Sequence, residues 1–444
     1  MPVTIQKGLR WKKDRNLGVA PEWTTEPSIE DVTTLVRREL KIPTPDLCVV
    51  QFLTQNKFNK AYTVTCGSSQ EYVLRLTVPV DPRSKTMSEV ATIKYIRHHT
   101  EIPVPQVFCH QASTANEVGL EWILMARMPG RRLCDEWKGM DYLKKEQLVR
   151  KLVSVHAQLF QQRFNRLGNL YPANELSQLS TSDMDNITFL GPDASIRSTQ
   201  LALGKIVSAP FFWGKHIDHN VPRGPYKHSR DWLSAQLQLN LLDLNDESNR
   251  ETSDEIKRSD DKAKNRAQRL LDLLPKNFPE EEEEEEVFVL HHHNLHAASM
   301  LVDENGELTG ISDWECAHTA PLWLACQSPK ILELSGSTAS VSNPNPIQRE
   351  IAEERNAEYD TKVKLRQVFL EEMQSVCPEW VEVHQSNQLK VGFEQVVQHF
   401  GAAGDGKYID RWIDEVEKNG TAPLLREIIR TTWFEEYFRN GYPF

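Results

Sequence analysis

Residues 287–316 read VFVLHHHNLHAASMLVDENGELTGISDWEC. Three short apolar runs lie in this stretch, at 287–290, 300–302 and 308–311, each bounded by polar or glycine-bearing turns. Runs of that length and composition predict three short strands. A polar loop, HHHNLHAAS, separates the first two, and the third delivers Ser312, Asp313, Trp314 and Glu315. Strand, loop, hairpin and acid in this order set a loop side chain beside a carboxylate, as phosphoryl transfer requires of its base and metal-binding acid.

Upstream, the period is that of β-structure. Residues 49–53, 61–65 and 72–76 are β-branched and aromatic runs between polar turns and predict a three-strand meander, with a further strand at 122–125. Residues 87–99 have helical spacing, with Val90, Ile93 and Ile96 on one face, and Pro103 and Pro105 stop the helix. Residues 28–40 predict an amphipathic helix opened by Ser28, with Asp31 in the capping position. After Pro129 and Gly130 the chain turns helical, at 145–162, 232–244, 263–274 and from 350 onward, ending in an aromatic tail at 433–444. The expected fold is α+β and two-lobed: an N-terminal helical extension (1–45), a small β-rich lobe (46–125), a hinge (126–130) and a large, mainly helical lobe (131–444). The cleft between the lobes is the expected ligand site.

Composition narrows the classes. The chain has 444 residues, 39% of them hydrophobic and 26% charged, which is ordinary for a globular protein. Its net charge of −11 carries no nucleic-acid footprint, and no apolar run is long enough to span a bilayer. The glutamate run at 280–286 is expected to be a solvated acidic loop, because adjacent like charges repel. Seven scattered cysteines without a CxxC pair suggest neither a zinc site nor a disulfide framework, and fit a reducing cytoplasm. The N-terminus lacks the apolar run of a secretion signal, while its late first acid, Asp14, leaves an organellar presequence open. Dinucleotide, P-loop, zincin and nucleophile-elbow motifs are missing.

Several stretches carry a resemblance: YVLRL around Arg75, SEVATIKYIR around Glu89, IPVPQV, EWILMARMPG, the loop HHHNLHAASMLVD, LTGISDWEC and PLWLAC. The chain resembles the aminoglycoside phosphotransferase and choline kinase-like family of the protein-kinase-like fold, in its fungal subgroup, over roughly residues 45–400. The resemblance implies a kinase-like fold, a small-molecule ligand in the cleft, and ATP with magnesium wherever phosphoryl transfer is retained. It places Arg75, Glu89, Asn59 and Met125 on the cofactor side and Asp313 and Ser299 at the metal. Asn294 stands where the family has its catalytic Asp, and an amide nitrogen cannot accept a substrate proton. Ser299 stands where the family has a metal-binding Asn, and the turn at 55–60, QNKFNK, lacks the family's glycines.

The histidines add a further possibility. His292 matches a core histidine that braces the loop. His293 and His296 are open to three readings: acid–base groups facing the cleft, a weak metal pair, or packing side chains. The leading expectation is a degenerate phosphotransferase-like protein, repurposed for acid–base chemistry in specialised metabolism or kept as a ligand-binding pseudokinase. The competing expectation is a working ATP- and magnesium-dependent O-phosphotransferase acting on a hydroxylated small molecule. Neither substrate nor oligomeric state is written in these residues.

Overall fold

The structure, a computed structural model, describes residues 6–14, 18–67, 70–173, 201–245, 254–279, 285–334, 346–399 and 406–439. Among them no helix is long and apolar enough to cross a membrane.

The chain opens with an antiparallel hairpin, β1 (Leu9–Asp14) and β2 (Gly18–Trp23), followed by α1 (Ile29–Glu39). Ser28 caps α1 by accepting the Asp31 N–H at 3.0 Å. The sequence reading missed the hairpin: charged residues dominate its composition, although Leu9, Trp11 and Trp23 share a face that packs on the core of the sheet lobe. Next comes an antiparallel sheet in the order β3–β4–β5–β7–β6. Its strands are β3 (Cys48–Gln55), β4 (Asn59–Cys66), β5 (Gln70–Thr77), β6 (Val107–Gln111) and β7 (Glu121–Ala126). β6 was also not anticipated; it is a half-exposed edge strand with a register shift between Val107 and Cys109.

Helix α2 (Ser84–His99) packs behind this sheet, and every residue from Ser84 to Ile93 is buried. Its other side meets β10 (Asn169–Pro172), which follows β8 (Arg131–Arg132), α3 (Tyr142–Phe160) and β9 (Arg163–Phe164). β10 pairs with β11 (Leu201–Gly204). The segment between β7 and β8 comes close to β13 at Gly130, whose φ is +101°. A Cβ there would lie 2.6 Å from the Val302 carbonyl oxygen, so only glycine fits without displacing backbone.

The large lobe continues with α4 (Ser229–Asn245), α5 (Asp254–Asn277), β12 (Phe288–His291), β13 (Met300–Val302), β14 (Leu308–Ile311) and β15 (His318–Pro321). Five helices finish it: α6 (Pro346–Val376), α7 (Pro378–Ser386), α8 (Gln388–His399), α9 (Gly406–Asn419) and α10 (Leu425–Arg439). Its apolar core runs from α3 through β12 to α9. The fold is thus α+β, an antiparallel sheet lobe on a helical lobe. Residues 280–284 of the glutamate run and 440–444 of the tail lie outside the described residues. Glu286 departs from the solvated-loop expectation: its carboxylate accepts the Ser229 N–H at 2.6 Å, at the first turn of α4, where a negative charge is stabilising.

Candidate functional site

The two lobes enclose a cleft of about 870 Å³. Ala61, Val73 and Met125 of the sheet and Leu301 of β13 give it an apolar lining. Its polar lining includes Arg75, Glu89, Asn294, His296, Ser312 and Asp313.

Arg75 lies in the middle of β5, between Ala61 and Ile123 on the neighbouring strands, so its side chain is almost fully withdrawn from water. It pairs with Glu89 of α2 through Nη2, while its Nε has no partner among the described residues. Burial opposes the Arg75 charge, but Glu89 and Glu315 outweigh that and raise its pKa. A second buried cation lies next to this pair. Lys85, one helical turn before Glu89, reaches Glu315 at 2.5 Å and Thr77 Oγ1 at 2.9 Å. Asn59 completes the group, donating to Glu315 at 2.8 Å and accepting from Lys85 at 3.3 Å. The amide of Asn59 is therefore committed to this network. Lys85 and Glu315 were absent from the sequence candidates; the i, i+4 spacing of Lys85 and Glu89, and the acid two residues after Asp313, were the available signals.

Asp313 follows β14 with a left-handed φ of +60°, which turns its side chain back to the cleft. Burial, and then the nearby Glu315 carboxylate, push its pKa up to about 6. For Glu315 itself burial is outweighed by Lys85 and Arg75, which hold it down at about 2. Asp313 thus carries the least compensated negative charge of the cleft.

The loop at 291–299 is fixed from beneath. His292 is buried; its Nε2 donates to the Ser312 carbonyl at 2.9 Å and its Nδ1 accepts the Asn294 N–H at 3.2 Å. Its ring also meets the Trp314 ring edge-on, with centroids 4.4 Å apart. One side chain therefore ties Asn294 to the strand end that carries Asp313. Asn294 itself is exposed at the cleft. His296 lines the cleft as well, and its Nδ1 accepts the Ala298 N–H at 3.1 Å. In the neutral ring the proton then resides on Nε2, so His296 offers a donor.

Two expectations are corrected. His293 does not share the cleft with His296. Its ring stacks on His318 with centroids 3.8 Å apart and lines a separate cavity behind the loop. Burial, reinforced by His318 and His291, takes its pKa well below the ordinary histidine value, so its ring is uncharged near neutrality and keeps a single N–H. The two rings thus cannot chelate one ion, and no cluster of three metal-ligating side chains occurs among the described residues. Ser299 is the second correction. It is fully buried, and its hydroxyl lies 2.9 Å from the His296 carbonyl and 3.1 Å from that of Asn294, while accepting the His296 N–H. The hydroxyl serves the loop backbone and does not open on the cleft.

The turn joining β3 and β4 is closed by its own side chain. Asn56 Oδ1 accepts the N–H groups of Phe58 at 2.9 Å and Asn59 at 2.7 Å. Phe58 packs on Phe212 and Trp213 of the large lobe, and Trp213 also meets Trp11 and donates to the Val19 carbonyl.

Residues 50–324, more than half of the chain, match the model of a phosphotransferase enzyme family. A subtelomeric hrmA-associated cluster protein of Aspergillus fumigatus is 27% identical over 180 residues, 40% of this chain and 33% of the relative. Altered inheritance of mitochondria protein 9, mitochondrial, of Yarrowia lipolytica is 23% identical over 205 residues, 43% of this chain and 35% of the relative. The chain therefore spans about a third of the length of these curated relatives. Among solved structures, a thermostable aminoglycoside phosphotransferase in ternary complex with AMP-PNP and hygromycin B is 14% identical, with 90% of this chain and 98% of that one covered and a TM-score of 0.41.

Proposed function

Because this chain belongs to the phosphotransferase enzyme family, we propose that its cleft still binds a nucleotide or similar phosphorylated small molecule, with phosphoryl transfer silenced or greatly slowed. The observation that carries this reading is the polar lining of the cleft. Of Asn294, His296, Ser312 and Asp313, only Asp313 is an acid. Asn294 cannot accept a proton, and loss of a general base costs about 10²–10⁴-fold in rate. His296 presents a donor, which suits a ligand oxygen better than it suits proton abstraction. That weighs against a repurposed base and in favour of a ligand-binding pseudokinase.

Binding has support of its own. The apolar lining that includes Met125 and Leu301 suits a planar ring, and the unpartnered Arg75 Nε suits an anionic oxygen. Of the other carboxylates lining the cleft, Glu89, Asp135 and Glu136 are paired with Arg75, Arg132 and Arg131, which leaves Asp313 for magnesium, and the Ser299 hydroxyl is turned into the loop. The N–H groups that a glycine-rich turn would offer to phosphates are taken by Asn56.

A second reading, a working phosphotransferase, is favoured by the intact Arg75–Glu89 pair and by Asp313. One pair of measurements separates the two. Calorimetry should find ATP bound with an affinity that magnesium changes by less than about tenfold, since a single carboxylate is a poor magnesium site. Magnesium-dependent ATP turnover should stay far below the kinase range of about 1–100 s⁻¹ and rise at least about tenfold in Asn294→Asp. Wild-type turnover inside that range would establish the second reading.

A further inference from the structure

A second cavity, of about 240 Å³, lies wholly within the large lobe behind the loop at 291–296. It is separate from the cleft: Asn294 and His296 face one space, His293 the other. Four residues of its lining each carry a polar atom that is shut off from solvent and has no partner among the described residues. These atoms are His156 Nε2 on α3, His293 Nε2, Ser328 Oγ and Gln395 Oε1 on α8. Leaving one such group unsatisfied costs about 1–3 kcal/mol, and packing does not gather four around a single space without compensation. A bound molecule that donates to Gln395 and exchanges hydrogen bonds with the others would supply it.

The charges on the wall indicate what kind of molecule. Lys330, Arg366 and Arg426 contribute three cations, against Glu333 and Glu394. Lys330 is engaged with the His293 carbonyl at 3.0 Å, and Arg426 stands 3.8 Å from Glu333. Arg366, on α6, makes no hydrogen bond or ion pair among the described residues, and Glu333 and Glu427 act on it only at longer range. Burial pushes Glu394 up to about 7, so much of its charge is missing near neutrality. The histidines remain neutral, His156 because burial takes it down to about 4. The cavity therefore has a positive balance together with neutral groups that match hydroxyls.

We propose that this cavity binds a small hydroxylated oxyanion, a sugar phosphate or a hydroxycarboxylate. Arg366 takes the anionic group, while Gln395, Ser328, His156 and His293 take the hydroxyls. The site is independent of what occupies the cleft.

Calorimetry on the full chain with glucose 6-phosphate, citrate and inorganic phosphate tests it. Saturable binding of glucose 6-phosphate or citrate is expected, and the stronger of the two identifies the anionic group. Inorganic phosphate should bind at least about tenfold more weakly, because it cannot span to the hydroxyl partners. Arg366→Ala and Gln395→Leu should each weaken binding at least about tenfold, and Arg75→Met in the cleft should not change it. Ser328→Ala, the smallest change, should weaken it as well and stands in if Gln395→Leu does not fold. Failure of all three probes would mean a water-filled cavity and overturn the proposal. Binding removed by Arg75→Met but spared by Gln395→Leu would place the anion in the cleft and overturn it equally.

Discussion

His292 commits both ring nitrogens to backbone, one to Ser312 and one to Asn294. Replacing it with Phe keeps the ring contact with Trp314 but leaves a buried carbonyl and N–H without partners. The expected loss is about 2–3 kcal/mol of stability, read from urea unfolding. Asp313 and Asn294 should lose their mutual register in the same variant, so nucleotide affinity should fall with it. At this scale the sequence was legible in kind but not in direction. HHHNLH announces a polar loop between strands, and it does not announce that His293 points one way and His296 the other. That depends on the turn taken at Asn294 and on His318, which comes from a strand more than twenty residues later. Ser299 was illegible for the same reason: a hydroxyl that binds loop carbonyls and one that faces a ligand look identical in a string of letters.

The turn between β3 and β4 is where an element decides what the cleft can hold. Asn56 satisfies two N–H groups of its own turn. Asn56→Gly should release them, lowering stability by about 1 kcal/mol while tightening ATP binding, as calorimetry on the pair of proteins would show. Unchanged or weaker ATP binding would mean that the turn is not a phosphate lid at all. Helix α2 shows how far pattern reading reaches. The spacing of Val90, Ile93 and Ile96 marks a helix with one buried face, but the structure buries Lys85, Ser88 and Glu89 as well. The second partner of α2 is β10, from a region whose sequence reads as irregular and yields no periodicity. The β-branched and aromatic runs marked β3, β4, β5 and β7, and missed the charge-rich hairpin β1–β2 and the short edge strand β6.

Across the whole molecule the two lobes are joined at more than the chain segment between β7 and β8. Asp81, between β5 and α2, is buried and pairs with Arg223 and with Lys205, both from the large lobe. Despite burial, these two cations hold the Asp81 carboxyl below its usual range. Asp81→Asn leaves two cations facing a neutral amide, and should cost about 3–5 kcal/mol in a denaturation experiment. Acid should act on the molecule earlier and elsewhere. His292 and His318 are buried and held near about 4, mainly by desolvation. In the unfolded chain they titrate near 6.5, so their contribution is full above that value and is lost progressively as pH falls from there to about 4. Each should remove about 2 kcal/mol of unfolding free energy between pH 7 and pH 5, and His318→Phe should flatten that slope. Asp81 adds its loss only at lower pH, because its folded pKa lies beneath the unfolded carboxylate value.

The burial of the first part of α2, from Ser84 to Ile93, has a kinetic consequence. A helix that holds Glu89 between a sheet and the opposite lobe cannot swing out, and the Phe58 contact and the Asp81 pairs hold the two lobes at a set separation. The mouth of the cleft is then an aperture of constant width, and a ligand enters or leaves without waiting for the protein. In stopped-flow measurements the observed rate of nucleotide binding should rise in a straight line with concentration, with no plateau from a preceding isomerisation. The radius of gyration in solution should likewise be the same with the cleft empty or filled.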